Sequence, residues 1–88
     1  MDKLRMIDQG EEVLRAAGFR QSRVRHHGDV ARIEIAREEL AKAFDLELFD
    51  RLGLEFKKIG FQYVALDVNG YRTGALNEIL TQIKVSSR

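Results

Sequence analysis

Arg23, Arg25, His27, Arg32 and Glu34 recur at alternate positions on either side of Gly28. Side chains two apart on a strand point the same way, so this spacing gathers three guanidinium groups, an imidazole and a carboxylate on one face. Arginine presents a planar fork of N–H donors that fits a phosphate or a carboxylate through paired hydrogen bonds. Two arginines facing each other across strands repel unless an anion lies between them. The same pattern also fits a solvated outer sheet face with cross-strand ion pairs, each worth less than about 1 kcal/mol. Composition leaves both readings open. Glu34, set across from Arg23, is expected to orient that arginine rather than to bind a ligand.

His26 and His27 are neighbours and therefore point to opposite faces of a strand. They cannot both ligate one metal, and no recognised metal-ligand spacing is present. His26 belongs with the apolar positions and is expected to be a hydrogen-bonded core residue, while His27 extends the anion face. Around Asn69-Gly70, Asp67, Tyr71, Arg72 and Asn77 form a second polar cluster. Turn chemistry accounts for Asn69, Gly70 and Asp67 as a local acceptor. A functional reading adds Arg72 to the arginine face, with Asp67 supporting it. The sequence shows no glycine-rich phosphate loop, nucleophile–base pair or paired-acid constellation, so no catalytic residue is assigned.

The elements that must position these groups follow from periodicity. Residues 3–17 fit an amphipathic helix with Ile7, Gly10, Leu14 and Ala17 on its stripe, widened by Met6 and Val13. Asp2 caps its start and Gly18 ends it. Gly10 either lets another backbone approach closely or is simply tolerated. Residues 20–26 and 30–36 alternate as two strands. A Gly28-Asp29 turn of type II′ sets Val24 opposite Ile33, Arg23 opposite Glu34 and Arg25 opposite Arg32. The other register opposes Arg23 to Arg32, a like-charge pair, and is disfavoured. Residues 37–44 form a short helix or helical turn with Leu40 and Phe44 inward. Asp45 caps a helix over 46–59 with Phe49, Leu52, Phe56 and Ile59 inward and Leu48 beside them. A third strand spans 61–68, Asn69-Gly70 signals a hairpin, and a fourth strand begins at Tyr71. Residues 77–84 fit strand or helix equally.

Two stretches echo each other at an offset of 42 residues: Gly18-Phe19 with Gly28, and Gly60-Phe61 with Gly70. The expected fold class is α+β, with two helix-hairpin (αββ) units forming a small, mostly antiparallel sheet and helices packed on one face. At 88 residues the chain reads as one domain. Hydrophobic residues make up 44% and charged residues 33%, and 15 basic side chains against 14 acidic ones leave a net charge of +1. That balance argues against a general nucleic-acid binder, so any electrostatic role comes from local clustering. With no cysteine, disulfides and thiolate chemistry are excluded for this chain. No apolar run approaches the roughly 18 residues of a membrane span. No signal peptide is visible, and the expected location is the cytoplasm.

Three segments, Leu4–Arg15, Gly18–Gln21 and Val24–Glu34, resemble the carboxy-terminal domain of the LarE-type ATP-dependent sacrificial sulfur transferases. Gly60-Phe61, Tyr63-Val64, Leu66-Asp67, Gly70–Gly74 and Asn77-Glu78 resemble the same domain's second half. The resemblance covers nearly the whole chain. It implies a companion ATP-pyrophosphatase (PP-loop) domain that adenylates a carboxylate on a pyridinium mononucleotide and then transfers sulfur to it, on the way to the nickel-pincer cofactor. By motif position, Arg23 and Arg25 are the arginines that the family associates with a phosphate site. The chain departs from the family in having neither the ATP-binding loop nor the donor cysteine. The resemblance therefore implies a separated accessory domain, a piece of a longer protein or a naturally split subunit, that is not catalytic alone. ATP and Mg would belong to the absent domain, and no cofactor is expected in this chain.

The expected partners are that PP-loop domain, a phosphorylated small molecule and a further copy of the chain in an oligomer. The anion-binding set is Arg23, Arg25, Arg32 and Arg72, supported by Glu34, His27 and Asp67. A protein-binding, RNA-binding or oligomerisation module that uses the arginine-lined sheet face is the alternative function. RNA-binding sheets add exposed aromatics, a part that only Tyr63 or Tyr71 could play here.

Overall fold

The structure, a computed structural model, describes residues 2–71. Its elements run α1 (Lys3–Ala16), β1 (Ser22–His27), β2 (Val30–Ile35), α2 (Arg37–Leu40), a 3-10 turn (Ala41–Ala43), α3 (Leu46–Ile59) and β3 (Tyr63–Leu66). The fold is α+β, as expected. Arg72, Asn77 and the ambiguous stretch 77–84 lie outside the described residues, as does the rest of the fourth strand expected from Tyr71.

Both long helices start on the predicted caps. The Asp2 carboxylate accepts the Arg5 N–H at 2.9 Å, and that of Asp45 accepts the Glu47 N–H at 3.0 Å. They also end alike. The Phe19 N–H reaches back to the Leu14 carbonyl and the Phe61 N–H to the Phe56 carbonyl, each at 3.1 Å. These are the bonds of a glycine-terminated helix, and they repeat at the 42-residue offset seen in the sequence. Both phenylalanines then turn inward, Phe19 at 3% exposure and Phe61 at 1%.

The strands lie in the order β1-β2-β3, with β1 antiparallel to β2 and β3 parallel to it. The described sheet is thus mixed. The predicted register holds: Arg23 faces Glu34, Val24 faces Ile33, and Arg25 faces Arg32. Gly28 has φ +59° and, among the described residues, only glycines have positive φ, which fits glycine leading a II′ turn. Val24, Ala31, Ile33 and Ile35 are almost fully buried with Leu14, Leu52 and Phe56 from the helices. Gly10 permits that packing. A methyl group there would stand 2.9 Å from the Phe56 ring and 3.1 Å from Val24, so side chains rather than a second backbone approach it.

Three expectations are corrected. Phe44 is 66% exposed, because the 3-10 turn rotates Ala43 into the core instead. In α3 the buried stripe is Leu48, Leu52 and Phe56, leaving Phe49 39% exposed. Asn69-Gly70 does turn the chain, with the Gly70 N–H on the Asp67 carbonyl at 3.1 Å, but it does not reverse it into an adjacent hairpin strand. Tyr71 continues alongside β2, parallel to Ala36, and donates its N–H to the Ile35 carbonyl at 2.8 Å. The β2 backbone offers that carbonyl to the same edge that β3 already uses, so the chain rejoins it after a short excursion.

Glu39 ties the approach to β1 onto α2. Its carboxylate, in a residue only 8% exposed, accepts the backbone N–H groups of Arg20 and Gln21, each at 2.9 Å. Lys42 Nζ lies 3.4 Å from the same carboxylate and 3.4 Å from the Gly18 carbonyl. The two backbone donors, aided by Lys42 and opposed by burial, hold the Glu39 carboxyl below the usual carboxylate range.

A depressed folded value means that this stabilisation is present above the ordinary glutamate range and is lost as pH falls through the folded value. Glu39→Gln is expected to lower stability by about 1–3 kcal/mol near neutrality. Wild type and variant should then converge on acidification, as read from thermal melts over a pH series. A gap that persists in acid would show that the carboxylate's charge is not the cause. Gly70→Ala tests the turn. With φ +77° and a methyl carbon only 2.4 Å from the Ile35 oxygen, it is expected to destabilise by about 1–3 kcal/mol. Gly53→Ala, inside α3 with open space around it, is expected to raise the melting temperature instead.

Candidate anion site on the outer sheet face

With Val24 and Ile33 committed to the core, the period of two sends Arg23, Arg25, Arg32 and Glu34 to the opposite face. β1 supplies Arg23 and Arg25, and β2 supplies Arg32 and Glu34. Arg25 and Arg32 oppose each other directly, and Glu34 sits one step along β2 on the same side.

Glu34 is only 8% exposed on this solvent-facing surface. One of its oxygens accepts Arg25 Nε at 3.1 Å and the other accepts Arg32 Nη2 at 3.0 Å. The carboxylate thus stands between two guanidinium groups that would otherwise repel. Arg32 Nε lies 3.7 Å from Asp67 Oδ2, an ion contact too long for a hydrogen bond, and that nitrogen is buried with no hydrogen-bond partner among the described residues. Asp67 also accepts the Asn69 N–H at 2.8 Å, so it serves the turn and the arginine face together. Arg25, Glu34, Arg32 and Asp67 form one chain of contacts.

Arg23 is held differently. Its Nη1 donates to the Ser22 carbonyl at 2.8 Å, and its guanidinium carbon lies 4.7 Å from the centre of the Tyr71 ring. Facing Glu34 in register does not bring their side chains together, so the expectation that Glu34 orients Arg23 is corrected. The carboxylate leans diagonally to Arg25 and along its own strand to Arg32. Arg25 and Arg32 are thus balanced by Glu34 and Asp67, and Arg23, held apart on the same face, adds the net positive charge. Side chains of Arg25 and Arg32 are 47% and 40% exposed, leaving their unbonded N–H donors open to a ligand.

His27 is exposed at the turn. His26 is half-buried on the inner face, its ring 5.2 Å from that of Phe61. Its Nδ1 has no hydrogen-bond partner among the described residues, contrary to the expected hydrogen-bonded histidine. Aromatic packing holds the ring in place of a polar contact. A groove of about 560 Å³ runs between α1 and β1, lined by Leu4, Ile7 and Val24 together with Arg25, His27 and Arg32. Arg72 lies outside the described residues.

Sequence reasoning missed three supports of this site. Tyr71 packs on Arg23, which only the three-dimensional return of the chain after Gly70 reveals. Glu39 anchors the approach to β1, and its acceptors are backbone groups without a sequence signature. Glu11 accepts the Val24 N–H at 3.1 Å, occupying a donor on the edge of β1 that no strand among the described residues pairs with. Its position beside the apolar stripe of α1 was the available signal.

Among the described residues no helix is long and apolar enough to cross a membrane. No family model matches the chain. It is 37% identical over 87 residues to the pyridinium-3,5-bisthiocarboxylic acid mononucleotide synthase of Lactiplantibacillus plantarum, across 98% of this chain and 30% of that protein. It is also 37% identical over 82 residues to an uncharacterised protein of Synechocystis sp., across 93% of this chain and 31% of that protein. The chain thus spans under a third of the length of these curated relatives, a share consistent with a carboxy-terminal domain. Both alignments extend over nearly the whole of this sequence, the arginine hairpin included, and the chain is similar throughout to one domain of a LarE-type enzyme.

Proposed function

We propose that this chain is the phosphate-holding part of a sulfur transferase that acts on a pyridinium mononucleotide carboxylate in nickel-pincer cofactor synthesis. A PP-loop domain, in the same or another chain, would bind ATP and Mg and activate the carboxylate. The present domain would hold the substrate's phosphate through Arg23, Arg25 and Arg32 while sulfur is delivered elsewhere. Fixing a remote charged group converts binding energy into orientation at the reacting centre, without any bond being made here.

One observation carries this reading: Arg23, Arg25 and Arg32 share one sheet face, and the side chains of Arg25 and Arg32 stay 47% and 40% exposed beside the carboxylate that joins them. The adjoining groove suits the rest of such a ligand, since Leu4 and Ile7 offer apolar surface beside the charged side chains of Glu11, Arg25 and Arg32. A mononucleotide has the matching polarity, one charged end and one ring end. RNA fits less well, because Glu34 and Asp67 among the arginines offset their attraction for a continuous polyanion.

In an NMR titration of the 88-residue chain, inorganic phosphate at about millimolar concentration is expected to shift the amides of residues 23–34. A pyridinium mononucleotide should shift the same set and add residues of the α1–β1 groove. Replacing Arg23 and Arg25 together by alanine should abolish both responses. Amides that stay put in the wild type would remove the phosphate site, while shifts that survive in the double variant would assign the binding to other residues.

A further inference from the structure

Glu34 combines two properties that conflict in a simple anion site. It is a carboxylate at the centre of the cationic cluster, and it is far more buried than the arginines around it. By charge alone it opposes an incoming oxyanion. Its contacts indicate a different role. Each oxygen takes one N–H, Nε of Arg25 and Nη2 of Arg32, so both guanidinium planes are held by their inner donors. Both Nη groups of Arg25 and Nη1 of Arg32 have no acceptor among the described residues. Without the carboxylate, two directly opposed guanidinium groups would separate into solvent, each regaining the rotamer freedom of a long side chain.

We infer that Glu34 is the positioning residue of the anion site: its carboxylate locks Arg25 and Arg32 side by side with their remaining donors directed at one oxyanion. The inference rests on the proposed phosphate-binding reading and deepens it, because it assigns the pair's geometry to a single acid. Arg23, held by Ser22 and Tyr71, is independent of this lock. The ligand this arrangement favours is a single phosphoryl group. Glu34 and Asp67 both contact the pair, and the added charges of a longer polyphosphate would be repelled by these two carboxylates.

Glu34→Gln separates positioning from charge, because the two predict opposite signs. The substitution keeps the shape and makes the cluster more cationic. Electrostatics alone would tighten phosphate binding. Loss of the lock instead weakens it, by about threefold to tenfold for inorganic phosphate. The guanidinium signal of Arg25 provides a second readout. Its Nε–Hε resonance should be sharp and shifted in the wild type, and move to the free-arginine position with faster solvent exchange in Glu34→Gln. Should Glu34→Gln lose the wild-type amide spectrum, Glu34→Asp, one methylene too short to reach both arginines, replaces it: the charge is kept, so charge alone predicts unchanged binding, while loss of the lock still weakens it and frees the Arg25 resonance. Equal or tighter phosphate binding in the variant overturns the inference. If the wild type binds no phosphate, the phosphate-site reading falls, and the Arg25 resonance alone decides whether Glu34 locks the pair. An unchanged resonance would end the inference as well.

Discussion

The pairing register of β1 with β2 is the constraint on which everything else depends. Strand side chains alternate with a period of two, so a slip of one residue would carry Val24 and Ile33 into water and turn the arginines toward Phe56. The core forbids that, since Val24 is 2% exposed and Ile33 2%. A two-residue turn with glycine at its first central position then fixes which residues meet. Arg25 opposes Arg32 because His27 opposes Val30 across that turn. Hydrophobic burial on one side of the sheet thus sets charge geometry on the other, without any direct contact between the two.

Concentrating arginines on a domain of this size has an energetic consequence. A small core leaves little stability to spare, and uncompensated guanidinium repulsion would reduce it further. The molecule answers with acids placed close in rather than with distance. Glu34 bridges two arginines, Asp67 approaches the second, and a tyrosine ring takes the third through its π face. Exposed ion pairs contribute little individually. Here the acid is buried and shared, so its main effect is to restrict where the guanidinium groups point. Rigidity of this kind matters more to ligand binding than to folding.

Much of this was legible in the sequence wherever a local rule was also the global one. The caps Asp2 and Asp45, the bounds of α3 and the β1–β2 register all follow from short-range chemistry, and each agrees with the packed structure. Phe44 and Phe49 were misassigned for a common reason. The 3-10 turn before α3 shifts the phase between the segments, and residue type alone does not report phase. Asn69-Gly70 has the composition of a hairpin turn, yet the preceding strand already runs parallel to β2, so the chain reaches the same edge again instead of folding back. That outcome depends on β3 entering parallel, and nothing within residues 61–71 encodes it. At the site, the face and its members were readable from alternation. The partners were not, since a side chain as long as arginine chooses between a directly opposed acid and a diagonal one by packing.

The excursion at residues 67–70 shows how the second half of the chain completes a site begun by the first. Between the pairs Ile33–Leu66 and Ala36–Tyr71, β2 advances three residues while its neighbour advances five. The two additional residues lift the chain off the sheet and return it, and Gly70 makes the return possible where any side chain would strike the Ile35 carbonyl. The departure point supplies Asp67 to Arg32, and the landing point supplies Tyr71 to Arg23. A straight strand would hold its side chains at fixed steps along β2 and could not space these two contacts in this way. The loop therefore does for the arginines what the II′ turn does for the register. It converts a backbone conformation that only glycine adopts cheaply into the placement of charged groups several residues away.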